Sequence, residues 1–179
     1  MKRRIVFAGD SIIHGGPWQY WLPEHYVTNF AFPGHTNRDL AALIDNIVES
    51  QPEVLVVMIG TNDFGKYRLP VEEVIENILS NARALRNLLP GIPILWNSLS
   101  PRSDEFSEAM IQVNEAIKPV LQELEIQYFD AFALLKDPGR NAIQINLCED
   151  PDTFGLHLNN AGYEVWFKAL APEITSLLS

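Results

Sequence analysis

Short apolar runs alternate along the chain with longer stretches in which apolar residues recur every three or four positions. The runs are Arg4 to Ala8, Tyr26 to Phe30, Val54 to Ile59, Ile92 to Asn97 and Ile126 to Phe129. Alternation of this kind predicts β-α units and a parallel sheet covered on both faces. Between the second and third runs, Leu40, Leu43, Ile44, Ile47 and Val48 fall at helical spacing, with Thr36 as N-cap and Asp39 three residues on. Val71, Val74, Ile75, Ile78, Leu79, Ala82 and Leu85 repeat that spacing from a start at Pro70 to a stop at Pro90-Gly91. A third helix around Phe106, Met110, Val113, Ile117 and Leu121 contains Pro119, which is expected to kink or split it. The last helix spans about Asn160 to Leu178. The only long irregular stretch is Lys136 to Leu156, and loops of that length in compact domains tend to be functional.

In an open parallel sheet, ligands bind beyond the carboxyl ends of the strands. Candidate chemistry is therefore sought at Gly9 to Gly15, Pro33 to Thr36, Gly60 to Gly65 and Ser98 to Arg102, together with what the long loop delivers.

Composition narrows the function. A length of 179 residues fits one domain, 1–179, and the 47% hydrophobic and 20% charged fractions are those of a folding globular chain. Thirteen Lys and Arg against twenty-three Asp and Glu give a net charge of −10, which leaves no basic field for nucleic acid. The single cysteine, Cys148, can form neither an internal disulfide nor a multi-cysteine zinc site, and is the pattern of a reducing compartment. The basic start Met1-Lys2-Arg3-Arg4 is followed by an apolar run that stops at Gly9-Asp10, too short for a signal sequence or a membrane span, so a cytoplasmic location is expected.

Gly9-Asp10-Ser11 ends the first predicted strand and could present a hydroxyl nucleophile, although Ser or Asp at such a place also caps helices. Gly34 in Phe32-Pro33-Gly34-His35-Thr36 could aim a backbone N–H at the crevice or simply make a tight turn. Gly60-Thr61-Asn62-Asp63 offers a side-chain amide able to donate to an oxyanion, with ordinary turn chemistry as the alternative. His157, just before the last helix, is the residue type that serves a serine as base. His14, near Ser11, and Trp18, Tyr20 and Trp21, which follow Gly15-Gly16-Pro17, could touch substrate; of these His14 and Trp18 are the substrate-binding candidates. His25 and His35 have no partner visible from spacing, and Trp96 reads as core. Asp10 and Asp63 at two strand ends also fit a magnesium-dependent phosphoryl-acceptor domain, but the lysine such a site wants after the fifth strand is missing from Asp130-Ala131-Phe132-Ala133.

Taken together, Gly9-Asp10-Ser11, Gly34, Gly60-Thr61-Asn62-Asp63 and Gly155-Leu156-His157 resemble, in order and spacing, the four blocks of the SGNH hydrolases, also called GDSL-like esterases. The resemblance spans nearly the whole chain. It implies a three-layer α/β/α, flavodoxin-like fold with a parallel five-stranded sheet of order 2-1-3-4-5. It also implies Ser11 as nucleophile, His157 as base, and an oxyanion hole of the Ser11 and Gly34 N–H groups with the Asn62 amide. The implied activity is hydrolysis of a small or short-acyl ester or thioester through an acyl-serine, with no metal or organic cofactor.

One departure stands out. The family's aspartate, three residues before the histidine, is here Phe154. Asp152 or Asp150 reaching in from a shifted loop, a backbone carbonyl on His157, and a crippled enzyme are the competing explanations; the candidate catalytic set is Ser11, His157 and Asp152. A non-catalytic binding domain that kept the pocket is the alternative function.

Overall fold

A computed structural model describes residues 2–179. In chain order the elements are β1 (Arg4–Gly9), α1 (Ser11–His14), α2 (Trp18–Trp21), β2 (Tyr26–Ala31), α3 (Asn37–Glu49), β3 (Val54–Met58), α4 (Thr61–Tyr67), α5 (Val71–Leu88), β4 (Ile94–Asn97), α6 (Ser107–Glu123), β5 (Gln127–Phe129), α7 (Ala131–Leu135) and α8 (Asn160–Leu177), with one 3₁₀ turn at Ile145–Leu147. The five strands form one parallel sheet of order β2-β1-β3-β4-β5. All five expected strands are present, and the order is the one the resemblance implied.

Period-two alternation divides the strand side chains between two cores. Val6 and Ala8 of β1, Leu55 and Val57 of β3, and Ile94 and Trp96 of β4 pack with α3, α5 and α6. Ile5, Phe7, Val54, Val56, Met58 and Leu95 face the other way, against α1, α7, α8 and Trp18. Burial on both faces explains why the central strands read as unbroken apolar runs. The helices take their starts from local chemistry. The Thr36 N–H donates to the Asp39 carboxylate at 2.9 Å, closing the expected capping arrangement at the head of α3. Asn159 accepts from the Gly162 N–H at 3.0 Å and starts α8.

Pro119 neither ends nor splits α6, which runs unbroken through it to Glu123. Pro119 and Glu115, four residues before it, are both exposed, so the carbonyl deprived of its N–H partner lies on the solvent side, where water satisfies it. Trp18 is also not where a substrate contact would be. It is 1% exposed, stacked on Phe7 at 4.5 Å, edge-on to Trp166 at 5.3 Å, and donates its ring N–H to the Ile13 carbonyl at 2.7 Å. Among the described residues no helix is long and apolar enough to cross a membrane.

Because Trp18 fills core volume between the sheet and α8, Trp18→Ala should cost about 3–5 kcal/mol. A urea unfolding midpoint that falls without a change in slope is the expected outcome. A shift too small to resolve would return Trp18 to the surface.

Candidate active site

The ends of β1, β2, β3 and β4 lie along one edge of the sheet, and the loop after α7 folds back over that edge. Asp10 accepts from the Ile12 N–H at 2.9 Å and caps α1, which makes Ser11 the first helical residue and leaves its side chain half exposed beside the loop. Ser11 Oγ lies 3.1 Å from His157 Nε2. The opposite ring nitrogen, His157 Nδ1, lies 2.8 Å from Asp150 Oδ2. The structure thus joins Ser11, His157 and a carboxylate in one hydrogen-bonded chain.

That carboxylate is Asp150, and the expectation of Asp152 is corrected. Residues 147–150 run antiparallel to 157–159: the Glu149 N–H donates to the His157 carbonyl at 2.8 Å and the Asn159 N–H to that of Leu147 at 3.0 Å. The intervening residues close a tight turn, in which the Thr153 and Gly155 N–H groups donate to the Asp150 carbonyl at 3.1 and 2.9 Å. Asp150 stands at the base of this turn, facing the histidine, whereas Asp152 is exposed near its tip. Phe154 is also exposed and makes no polar contact with the ring. The other oxygen of Asp150 accepts from the Leu156 and His157 N–H groups, both at 2.9 Å, and from the Cys148 thiol at 3.3 Å. Burial by itself would raise this carboxyl. The hydrogen bonds from the His157 ring, from the two N–H groups and from Cys148 outweigh it and hold Asp150 at about 2. The Cys148 thiol is pushed up to about 11, first by burial.

Asn62 follows Thr61 at the head of α4 and donates one amide hydrogen to the His35 carbonyl at 2.9 Å, which leaves its second N–H for another acceptor. Gly34 has φ of +79°, left-handed backbone that glycine adopts without penalty. Ser11, Gly34, Asn62, Leu156 and His157 border one cavity of about 430 Å³. A second cavity of about 620 Å³ opens on the other side of Ser11 and His157, walled by Tyr20, Trp21, Tyr163, Glu149 and Glu164. His14, expected at the substrate, borders neither of these two cavities, and its Nδ1 pairs with the Ala31 carbonyl at 2.9 Å. His25 pairs with the Arg3 N–H at 3.4 Å, on the far edge of β1. Of the three aromatic residues after Gly15-Gly16-Pro17, Tyr20 and Trp21 reach the larger cavity and Trp18 does not. Sequence spacing carried no sign of Glu149, Tyr163 or Glu164, which arrive from elements remote in the chain.

Asp10 and Asp63 do not form a phosphoryl-acceptor site, since both are buried and no cluster of metal-ligating side chains occurs among the described residues. Asp63 accepts from the Asn37 N–H at 3.1 Å and anchors the head of α3. Asp10 is wholly buried, and its Oδ2 has no hydrogen-bond partner. Burial is the main reason its carboxyl is pushed up to about 7, while the Ile12 N–H and nearby His157 pull it down.

The GDSL-like Lipase/Acylhydrolase family model matches residues 7–165. A platelet-activating factor acetylhydrolase IB subunit beta homolog of Drosophila melanogaster is 28% identical over 130 residues, covering 67% of this chain and 56% of that protein. The chain therefore spans a little over half the length of that relative. A GDSL-like lipase from Bacteroides thetaiotaomicron superposes with a TM-score of 0.85 at 18% identity, covering 97% of this chain and 88% of the other. A G-D-S-L family lipolytic protein from Veillonella parvula gives 0.78 at 18% identity, covering 96% and 98%. At such identities the two superpositions show a shared fold.

Two outcomes follow from the carboxylates. Asp150→Asn should lower any turnover of p-nitrophenyl acetate by up to about 10⁴-fold, through loss of ring orientation and of charge stabilisation, whereas Asp152→Ala should leave it within about twofold. The reverse ranking in steady-state kinetics would overturn the geometric assignment.

The second concerns stability. An unfolded Asp loses its proton near pH 3.9, while buried Asp10 keeps its own until about pH 7. The folded state therefore holds the extra proton between those values, and stability falls as pH rises through that window. Asp10→Asn keeps an oxygen for the Ile12 N–H and removes the titration, so its melting temperature should gain on the parent's from pH 5 to pH 8, by at most about 3 kcal/mol in stability. An offset that does not vary with pH would mean that Asp10 carries its charge in the folded protein.

Proposed function

The chain belongs to the GDSL-like lipase/acylhydrolase family, and we propose that it is a serine ester hydrolase in which Ser11, His157 and Asp150 act together. The observation that carries this reading is the run of two hydrogen bonds, 3.1 Å from Ser11 Oγ to His157 Nε2 and 2.8 Å from His157 Nδ1 to Asp150. Asp150 accepts at Nδ1, so the neutral ring carries its proton there and leaves Nε2 with a lone pair aimed at the hydroxyl.

Ser11 Oγ attacks the ester carbonyl carbon as its proton passes to His157 Nε2. The carbonyl oxygen, now negative, is held by the Ser11 and Gly34 N–H groups and the free N–H of Asn62. Collapse of the tetrahedral intermediate breaks the bond to the leaving oxygen or sulfur, which takes the proton back from His157. Water then gives its proton to His157 and adds to the acyl-Ser11 carbonyl, and collapse of this second intermediate breaks the bond to Ser11 Oγ, which takes the proton back from His157 as the acid leaves. Asp150 keeps its charge throughout and stabilises the imidazolium that forms twice per cycle. Removal of one oxyanion donor, as in Asn62→Ala, should cost about 10² to 10³ in turnover.

A short acyl group is the substrate reading we favour. Both cavities are open and modest, and the Drosophila relative is named for acetyl hydrolysis. The competing idea of a binding domain that had lost its acid drew its force from Phe154, and Asp150 supplies the carboxylate that Phe154 does not.

Purified protein should hydrolyse p-nitrophenyl acetate and be labelled by a fluorophosphonate. Ser11→Ala should lose both the activity and the label while its melting temperature stays within a few degrees of the parent's. Activity or labelling that survives in Ser11→Ala would sink the assignment.

A further inference from the structure

The segment leaving β4 reaches both halves of this machinery while contributing no reacting group to it. Arg102 is 4% exposed, rare for an arginine, and each of its three nitrogens is engaged. Nε donates to Asp104 Oδ1 at 2.6 Å, and one terminal nitrogen donates to the other oxygen of the same carboxylate. The remaining nitrogen donates to the Thr61 hydroxyl at 2.9 Å and to the Thr61 carbonyl at 3.2 Å. The guanidinium lies 5.0 Å from the centre of the Phe106 ring, and the Asp104 carboxylate also accepts from the Phe106 N–H at 3.1 Å, so the fork is fixed from several directions. Thr61 directly precedes Asn62.

The next residue reaches the other half. The Ser103 N–H donates to the Gly155 carbonyl at 3.1 Å, two residues before His157. The approach is close: a Cβ on Gly155 would fall 2.4 Å from the Ser103 side chain, and Gly155 has φ of +53°. The Gly155 N–H in turn holds the Asp150 carbonyl at 2.9 Å. Adjacent residues of one loop thus grip the backbone beside Asn62 and the turn that carries Asp150 and His157.

We infer that Arg102 and Ser103 form a brace setting the separation between Asn62 and His157, with Arg102 a positioning residue that acts through Asn62. This inference rests on the reading of Ser11 and Asn62 given above. A buried ion pair is a weak source of stability, but a forked guanidinium fixes direction well. Misplacement of a transition-state donor by an ångström is enough to cost 10²-fold. Arg102 borders the 430 Å³ cavity, but four of its five N–H groups are taken by Asp104 and Thr61, and at 4% exposure it offers a ligand little access. Its loss should therefore show in kcat and leave KM alone.

The test is a double-mutant cycle on p-nitrophenyl acetate. Arg102→Gln should lower kcat by about 10- to 100-fold with KM within about twofold. Arg102→Lys should recover only part, because an ammonium cannot span Asp104 and Thr61 together. In an Asn62→Ala background, Arg102→Gln should cost less than about threefold. Thr61→Val removes one of the two acceptors that Thr61 offers Arg102, at nearly constant shape, and should give a smaller fall in kcat, also suppressed by Asn62→Ala; it carries the test if Arg102→Gln does not fold. Equal losses with and without Asn62, a loss confined to KM, or a lowered melting temperature with kcat intact would each overturn the inference. Activity retained in Ser11→Ala would instead overturn the hydrolase reading itself, so the two failures are distinguishable.

Discussion

Asp150 gathers the end of a loop that has little regular secondary structure. Between the end of α7 and the start of α8 the chain forms a single 3₁₀ turn and two isolated bridges, and is pinned to the core by Ile143, Leu147, Leu156 and Leu158. Four donors converge on the two oxygens of Asp150: the Leu156 and His157 N–H groups, the Cys148 thiol and the His157 ring. A half-buried carboxylate is costly unless its oxygens are satisfied, and satisfying these brings residues 148 to 157 into one tight turn. The same bonds that order the loop point the imidazole at Ser11, so folding of the loop and alignment of the candidate base are one event.

The sheet supplies the other half of the alignment. Parallel strands end at a common edge, so β1, β2 and β3 deliver Ser11, Gly34 and Asn62 side by side even though the residues lie far apart in sequence. None of the three needs a long side chain to reach the reacting position, since two would contribute backbone N–H groups. Asn62 is held by His35 from the neighbouring loop, so the β2 and β3 ends are tied directly to each other. What the strands cannot fix is the approach of the His157 loop, which comes from outside the sheet. The contacts of Arg102 and Ser103 lie across that junction.

The large features of this arrangement were legible in the sequence because they depend on periodicity. Strands buried on both faces must be apolar throughout, and α3, α5 and α8 are long enough to repeat their apolar spacing. Elements of four to seven residues, α1, α2, α4 and α7, hold too few turns for a period to show. Ser11, Gly34, Asn62 and His157 could be named because each sits where a strand or loop meets the edge. The choice between Asp150 and Asp152 could not be made, because it depends on how the turn closes on the Asp150 carbonyl and not on spacing. Trp18 misled for a related reason: an aromatic residue after Gly-Gly-Pro looks the same whether it lines a pocket or fills the core. Arg102 carried no signal beyond its place in a loop, since its partner Thr61 lies 41 positions away.

Three groups along this edge, Asp10 and Arg102 buried and Asp150 half-buried, meet desolvation in different ways. Asp150 is over-supplied with donors and stays ionised. Arg102 is matched by Asp104 and is spent on geometry. Asp10 alone is left with an oxygen that nothing satisfies, and with Asp63 nearby it resists ionisation. A neutral Asp10 can still accept from Ile12 and begin the helix that bears Ser11, so capping does not require its charge. Burial of Asp10 without a partner therefore weakens the fold as pH rises towards neutral, while Asp150, at about 2, is the carboxylate that stays ionised throughout that range beside the ring.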